Sequence, residues 1–232
     1  MPVVNAWKDG YCLNIGEGAT WPTVRDATTS SGGNTSAVNL TVDSVFITGR
    51  GPNLNAVARS FINFDTSGIS DAVSSATLKL YALRVGGPGS PNNDFIVVKG
   101  TQSGDPATSD FDSMTGWSTG SSDGAGAGDN ESNVTKYSAE IDDGDIDTTG
   151  YFDVPLTAQA RTDMENDSVL NIAILNYTYD LKDIQPGGGA FTSINFWRPW
   201  STDKGAGYLP YIDYTLAGAA VTHNATLFGT NF

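Results

Sequence analysis

Cysteine and histidine are almost missing from this sequence of 232 residues. One residue of each type, Cys12 and His223, excludes an internal disulfide and a Cys–His zinc site, because both need several partners. Cys12 follows Tyr11 in an apolar stretch and is expected to be a small buried hydrophobe. His223, in the polar string VTHNAT, is expected at a surface or an interface. Bases are scarce as well, with 12 Lys and Arg against 26 Asp and Glu and a formal net charge of −14. Nucleic-acid binding requires a basic stripe that releases counterions from phosphate, and there is none. Anionic membrane surfaces are equally poor partners. No window approaches the roughly 18 uninterrupted apolar residues of a membrane span, so no membrane insertion is expected. The opening, MPVVNAWKDGYC, has neither a basic n-region nor an apolar h-region, and no secretory leader is expected in it. Neither HExxH nor a P-loop occurs, and no pair of acids stands out by spacing as a glycosidase couple, so the protein is expected not to be an enzyme.

What is abundant points to strands and turns. Of the acids, 22 are Asp and only 4 are Glu, and Thr numbers 25. Asp favours turns and is a weak helix former, whereas Glu is common in helices. Alternation of apolar and polar residues predicts strands over Val38–Thr48, Val57–Asp65, 74–82, Phe95–Lys99, Lys136–Ile141, Tyr151–Val154, Ser168–Tyr179, Phe191–Trp197 and Tyr208–Leu216, with a tenth near Tyr11–Ile15. In the clearest case Ala76, Leu78 and Leu80 face one way and Thr77, Lys79 and Tyr81 the other. Val169–Leu175 is apolar on both faces and is expected in the middle of a covered sheet. The predicted core holds Ile62, Phe64, Ala76, Leu78, Leu80, Ile172, Ile174 and Ile212. A single helix is predicted at 156–167, capped by Thr157, with Leu156, Ala160 and Met164 four residues apart. Residues 28–36 read as a neutral flexible link. Residues 101–133 read as a long polar loop anchored by Phe111, Met114 and Trp117. The expected fold is all-β: an antiparallel two-sheet jelly-roll β-sandwich with one short helix, occupying 1–216, followed by an arm at 217–232.

The order of these elements is similar to a known family. The strings RSFINFD (59–65), SGI (67–69) and SATLKLY (75–81) resemble the opening of DNRLRE-type domains, β-sandwich modules related to carbohydrate-binding modules. YFDVPLT (151–157) resembles the strand leading into that family's short helix, and SVLNIAILN (168–176) its central strand. INFW (194–197) and LPYIDYT (209–215) resemble the closing pair. The likeness spans roughly 59–216, and it implies a sandwich module of bacterial surface proteins and polysaccharide-active enzymes that binds glycans.

Three groups of residues are candidate sites. Exposed aromatic rings offer flat apolar faces to the CH-rich side of a sugar. Tyr177, Tyr179, Trp197, Trp200 and Tyr211 are the candidates, with Tyr177 and Tyr179 on one strand face. Closing the sandwich ends or packing a neighbouring subunit is the alternative use of such rings. In EIDDGDID (140–147), Asp143, Asp145 and Asp147 alternate as hard oxygen ligands for calcium would. Asp105, Asp110 and Asp112 form a second acidic group, and a solvated acidic loop is the alternative for both. The arm is uncharged apart from its terminus and carries Val221, Leu227, Phe228 and Phe232, which suit docking on another chain. Together these features lead to the expectation of a virion surface protein: a capsid decoration, head-fibre or tail-fibre component, made in the host cytoplasm. Its partners would be its own copies, a capsid or fibre protein, and cell-surface glycans. The alternative is a carbohydrate-binding or adhesin module at an extracellular bacterial surface.

Overall fold

The computed structural model describes residues 2–48, 51–85, 93–119, 129–187 and 193–218, without the side chains of 84, 85 and 193–197. The arm residues Val221, Leu227, Phe228 and Phe232, and His223, lie outside the described residues.

The chain is mostly β, as its Thr-rich, Asp-punctuated sequence predicts. Ten strands are β1 (Val3–Glu17), β2 (Gly32–Asn34), β3 (Val42–Ile47), β4 (Leu54–Asp65), β5 (Val73–Val85), β6 (Phe95–Lys99), β7 (Tyr151–Pro155), β8 (Val169–Asn176), β9 (Ser193–Pro199) and β10 (Tyr211–Leu216). All their pairings are antiparallel, and the sheet curls until it meets itself. β1 pairs with β10, β10 with β5, β5 with β9, β9 with β3, β3 with β4, and β4 with β1 again. Two strands make the corners. β1 leaves β10 after Asn5 and joins β4, with a register shift between Ala6 and Lys8. β5 pairs with β10 and β7 and then with β9, with a shift between Ala82 and Arg84. Such bulges re-aim a strand without ending it.

Alternation along β4, β6 and β8 puts apolar side chains on both faces. Ile62, Phe64, Phe95, Val97, Leu170, Ile172 and Ile174 fill the interior of the curl with Leu78, Leu80 and Ile212. All eight predicted core residues are buried there. Val57, Phe61, Ile96, Val98, Ala173 and Leu175 face outward and form a second apolar cluster with Trp21, Phe111 and Met114. Irregular chain covers this second face, so the predicted loop anchors Phe111 and Met114 are buried under it.

Several expected boundaries move, each for a local reason. The strand predicted to run to Tyr179 ends at Asn176, whose side-chain oxygen accepts the Tyr179 N–H at 2.7 Å and starts a π-helical turn over Tyr177–Leu181. Lys136–Ile141 is not a strand but touches β6 through isolated bridges at Lys136 and Ile141. The link at 28–36 contains β2, which lies close on β1: a Cβ at Gly33 would stand 2.9 Å from the Tyr11 carbonyl oxygen. A short helix α1 (Trp21–Arg25) was not predicted. Helix α2 (Ala158–Asn166) is capped as expected, with the Thr157 hydroxyl accepting from the Ala160 N–H at 3.3 Å.

The second face of the sheet also buries charge. Arg59, pointing outward from β4, donates to both carboxylate oxygens of Asp180 at 2.8 and 2.7 Å, to the Phe111 carbonyl at 2.7 Å and to the Arg25 carbonyl at 2.8 Å. Its guanidinium lies 4.0 Å from the Phe111 ring and 4.2 Å from the Trp117 ring. Arg25 donates to the Asp180 carbonyl at 2.8 Å, to Leu181 and to Asp26, and sits 3.8 Å from Asp183. Both arginine side chains are fully buried. Removing one partner of such a pair leaves an uncompensated charge and costs about 3–5 kcal/mol. Arg59→Ala and Asp180→Ala should each lower unfolding free energy in urea by that amount. Arg59→Lys should rescue little, because an ammonium cannot reproduce the fork. Wild-type stability in Arg59→Ala would show the network to be dispensable.

Two buried carboxylates contribute most visibly to the pH dependence, and Asp94 and Glu140, raised chiefly by burial, act in the same direction. Asp9 on β1 accepts the Thr202 N–H at 2.7 Å and the Thr202 hydroxyl at 3.1 Å, yet burial pushes it up to about 6. Burial also pushes Asp43 on β3 up to about 6, against an opposing Arg198 guanidinium at 3.2 Å. In the unfolded chain both titrate near 3.8. Folding therefore takes up protons between about pH 4 and pH 6, and stability falls as pH rises through that window. Asp65, Asp147 and Glu131, lowered chiefly by hydroxyl hydrogen bonds from Ser67, Thr149 and Tyr177, act oppositely and only in stronger acid. The melting temperature should be higher at about pH 5.5 than at about pH 7.5, and Asp9→Asn with Asp43→Asn should flatten the difference. A melting temperature that rises over the same interval would refute the assignment.

Candidate functional site

The outward face of β5, β7 and β10 carries a strip of aromatic rings. Because Leu80, Phe152 and Ile212 point into the core, their neighbours Tyr81, Tyr151 and Tyr211 must point out. Register then sets Tyr81 opposite Tyr151, and Lys79 opposite both Asp153 and Tyr211. Tyr151 meets Tyr211 with centroids 5.1 Å apart and Tyr81 at 5.3 Å, both edge to face. Two rings from the segment between β9 and β10 extend the strip: Tyr208 lies 4.9 Å from Tyr81, and Trp200 lies 5.9 Å from Tyr208. The order is Tyr211, Tyr151, Tyr81, Tyr208, Trp200, and all five are half-buried.

The strip is held from below and from the sides. The Tyr81 hydroxyl donates to the Thr149 carbonyl at 2.8 Å and the Tyr151 hydroxyl to the Leu209 carbonyl at 3.0 Å. The Trp200 N–H donates to the Tyr81 carbonyl at 2.9 Å, which ties the loop rings to β5. Lys79 pairs with Asp153 at 2.5 Å and lies 3.9 Å from Asp213. Lys204 stands over Trp200 at 4.2 Å and Tyr208 at 5.3 Å. Edge-to-face packing makes the strip corrugated, and each of the five residues stays partly exposed.

Of the five aromatic residues picked from sequence, Trp200 and Tyr211 belong to this strip. Tyr177 and Tyr179 do not: both are only 7% exposed in the π-helical turn, where they pack into the second apolar cluster. The Tyr177 hydroxyl donates to Glu131 at 2.6 Å, and Lys182 covers its ring at 4.3 Å. Their placement on one strand face failed because the chain leaves the strand at Asn176. Trp197 lies on β9, and its side chain is outside the described residues. Sequence reading missed Tyr81, Tyr151 and Tyr208 as site residues. The signal for Tyr81 was present, since the alternation of 74–82 already turned it outward.

The acidic candidates separate. Asp143 lies with Asp94 and Asp142, and the carboxylate oxygens of the three come within 4.8 Å of one another. Asp147 instead accepts the Thr149 N–H and hydroxyl, each at 2.7 Å, and closes its own turn. Asp145 lines a shallow cavity of about 280 Å³ with Ile141 and Phe152. In the second acidic group, Asp105 pairs with Lys8 at 3.0 Å and Asp110 accepts the Ala107 N–H at 2.8 Å.

Two further features bear on chemistry. The string GWSTG at 116–120 has the letters of a nucleophile elbow. Its Ser118 lies in a loop, however, with both backbone groups bonded to the Asn130 carboxamide, and not on a strand-to-helix turn. A cleft of about 550 Å³ is lined by Trp21, Phe46, Asn55 and neighbours that offer no acidic, basic or thiol side chain among the described residues. No helix among the described residues is long and apolar enough to cross a membrane. No protein-family model and no curated protein matches this chain, so the aromatic strip is the feature from which a function is argued.

Proposed function

We propose that this protein is a non-enzymatic surface module, a two-sheet jelly-roll sandwich that holds a glycan along the strip Tyr211–Tyr151–Tyr81–Tyr208–Trp200. The observation that carries the reading is the strip itself: five half-buried rings in unbroken contact on one outer face. Aromatic side chains so placed present apolar surface to water and suit the CH face of a pyranose. The finer fold is supported by the partner changes of β1 and β5, strands that switch between two packed layers at a bulge. The RSFINFD and SATLKLY strings motivate the same class of module.

The energetics fit weak, repeated binding. A sugar covering a few tens of Å² of ring gains about 1 kcal/mol at about 25 cal/mol per Å². Three such contacts reach a dissociation constant in the millimolar range. Display of many copies multiplies that affinity, which suits the expected virion surface setting. A bacterial surface module would use the same strip. The formal charge of −14 favours neutral over anionic polysaccharides.

Affinity electrophoresis against a panel of neutral polysaccharides is the test. Retardation by at least one is expected. Trp200→Ala with Tyr211→Ala should weaken it about tenfold or more while circular dichroism stays unchanged. Undiminished retardation in that folded double variant, retardation by no polysaccharide, or release of cleaved product would each overturn the proposal.

A further inference from the structure

Three side chains at the far end of the strip, Trp200, Lys204 and Tyr208, come from one irregular segment between β9 and β10. Rings on irregular chain hold their line only where the backbone beneath them is tied to something rigid. At its start the segment is tied to β5 through the Trp200 N–H, and the Ser201 N–H donates to the Val38 carbonyl at 3.1 Å. The next tie is Asp9. From β1 its carboxylate accepts the Thr202 N–H at 2.7 Å on one oxygen and the Thr202 hydroxyl at 3.1 Å on the other. Beyond Thr202 the segment bonds to itself. The Thr202 carbonyl accepts the Gly205 N–H at 3.1 Å, and the Gly205 carbonyl accepts the Tyr208 N–H at 3.2 Å. Gly205 makes this possible at φ 92°, in the left-handed region that glycine favours. Hydrogen bonds therefore run from Asp9 through Thr202 and Gly205 to Tyr208, with Trp200 just before Thr202 and Lys204 just after it.

A carboxylate is a costly group for this task. Asp9 is only 3% exposed, and no lysine or arginine pairs with it among the described residues. Lys8, its neighbour on β1, pairs with Asp105 at 3.0 Å, and Lys204 lies over Trp200 and Tyr208. Register on β4 sets Asp9 beside Ile62, which brings no charge, and Asp203 on the segment itself carries the same sign. An ionised carboxylate nevertheless does what a neutral side chain cannot. It accepts on both oxygens at once, through charge-assisted bonds about twice as strong as neutral ones. Protonated, it keeps one good acceptor, and half of the clasp on Thr202 is lost. Burial brings that change up to about pH 6.

We propose that Asp9 is a positioning residue for the aromatic strip: ionised, it clasps Thr202 and holds Trp200, Lys204 and Tyr208 in line with Tyr81, and protonated, it lets that end of the strip go. This role rests on the glycan reading of the strip and gives it a working pH. A ligand that needs the segment in place binds the ionised form better, so affinity rises with pH through about 6. The stability of the fold runs the other way over that interval, which separates weaker binding in acid from unfolding.

The test uses the full chain and the neutral polysaccharide of the panel that most retards it in affinity electrophoresis. The dissociation constant should be about three- to fivefold lower at about pH 7.5 than at about pH 5. Asp9→Asn should bind at the higher pH as the wild type does at the lower, with no step between them. Asp43→Asn, which removes the other buried carboxylate, should keep the step. Thr202→Val loses the hydroxyl but not the N–H, should fall between wild type and Asp9→Asn at the higher pH, and serves if Asp9→Asn fails to fold. Without glycan, the indole N–H resonance of Trp200, identified by its loss in Trp200→Phe, should titrate with a midpoint near pH 6 in the wild type and stay fixed in Asp9→Asn. Retardation by no polysaccharide would end the glycan reading and leave the indole titration to decide the clasp. Affinity that is flat across the interval, a step of wild-type size in folded Asp9→Asn, or a wild-type Trp200 indole indifferent to pH would overturn the proposal.

Discussion

The two-pronged bond between Arg59 and Asp180 is the constraint around which this molecule is organised. A curled sheet can bury one face against itself, but the outward face of β4, β6 and β8 is apolar as well and needs a cover. The cover here is irregular chain, drawn from 20–26, 101–119, 129–138 and 177–183, which has few ladder bonds of its own. Arg59 stands at the centre of that face and reaches carbonyls or carboxylates from three of those segments. The guanidinium is planar, always charged and rich in donors, and two rings lie against it. One side chain thereby fixes the register of several loops at once. A hydrophobic residue could fill the same volume, but it would not dictate which carbonyl comes to rest where.

The strands were legible because each has one job at a time. In β5 and β10 the alternation is strict, and both the core and the outward tyrosines can be read from it. β8 was legible for the opposite reason, since apolar residues on both faces signal a covered sheet. What could not be read was the material that has no period. β2 is three residues long, two of them glycine. The π-helical turn begins because a single asparagine side chain captures an N–H, a local event that overrides the β-forming character of Tyr177 and Tyr179. The same reason hid the pairing of Asp94 with Asp143. Residues 49 positions apart in sequence meet only because Ile141 bridges Phe95. The aromatic strip was half visible: Trp200 and Tyr211 stood out by type, whereas Tyr208 and Tyr151 join it through register and loop packing.

Charge and aromatic surface divide the exterior between them. With 26 acids and 12 bases, copies of the chain repel one another over a Debye length of about 8 Å in physiological salt. Next to the strip Lys79 lies between Asp153 and Asp213, and Lys204 keeps its positive charge over two rings. The strip thus has charges of both signs beside it on an anionic body. Uncharged ligands can reach it without crossing a strong field, while the remainder of the surface keeps the protein apart from its own kind.

The closed circuit of strands has one more consequence, for what happens when many such chains are crowded together. A sheet aggregates through its free edges, where unpaired backbone groups template another strand. Here six strands return on themselves, which leaves only short stretches of them unpaired on one side. The strands outside it are poor templates. β2 is very short, and β7 is brief, carries Asp153 outward and ends on Pro155, which has no N–H. The far side of β6 is occupied by bridges at Lys136 and Ile141, with a further bridge from Met114 just beyond its end. Among the described residues, a chain built this way offers its neighbours few unpaired backbone groups.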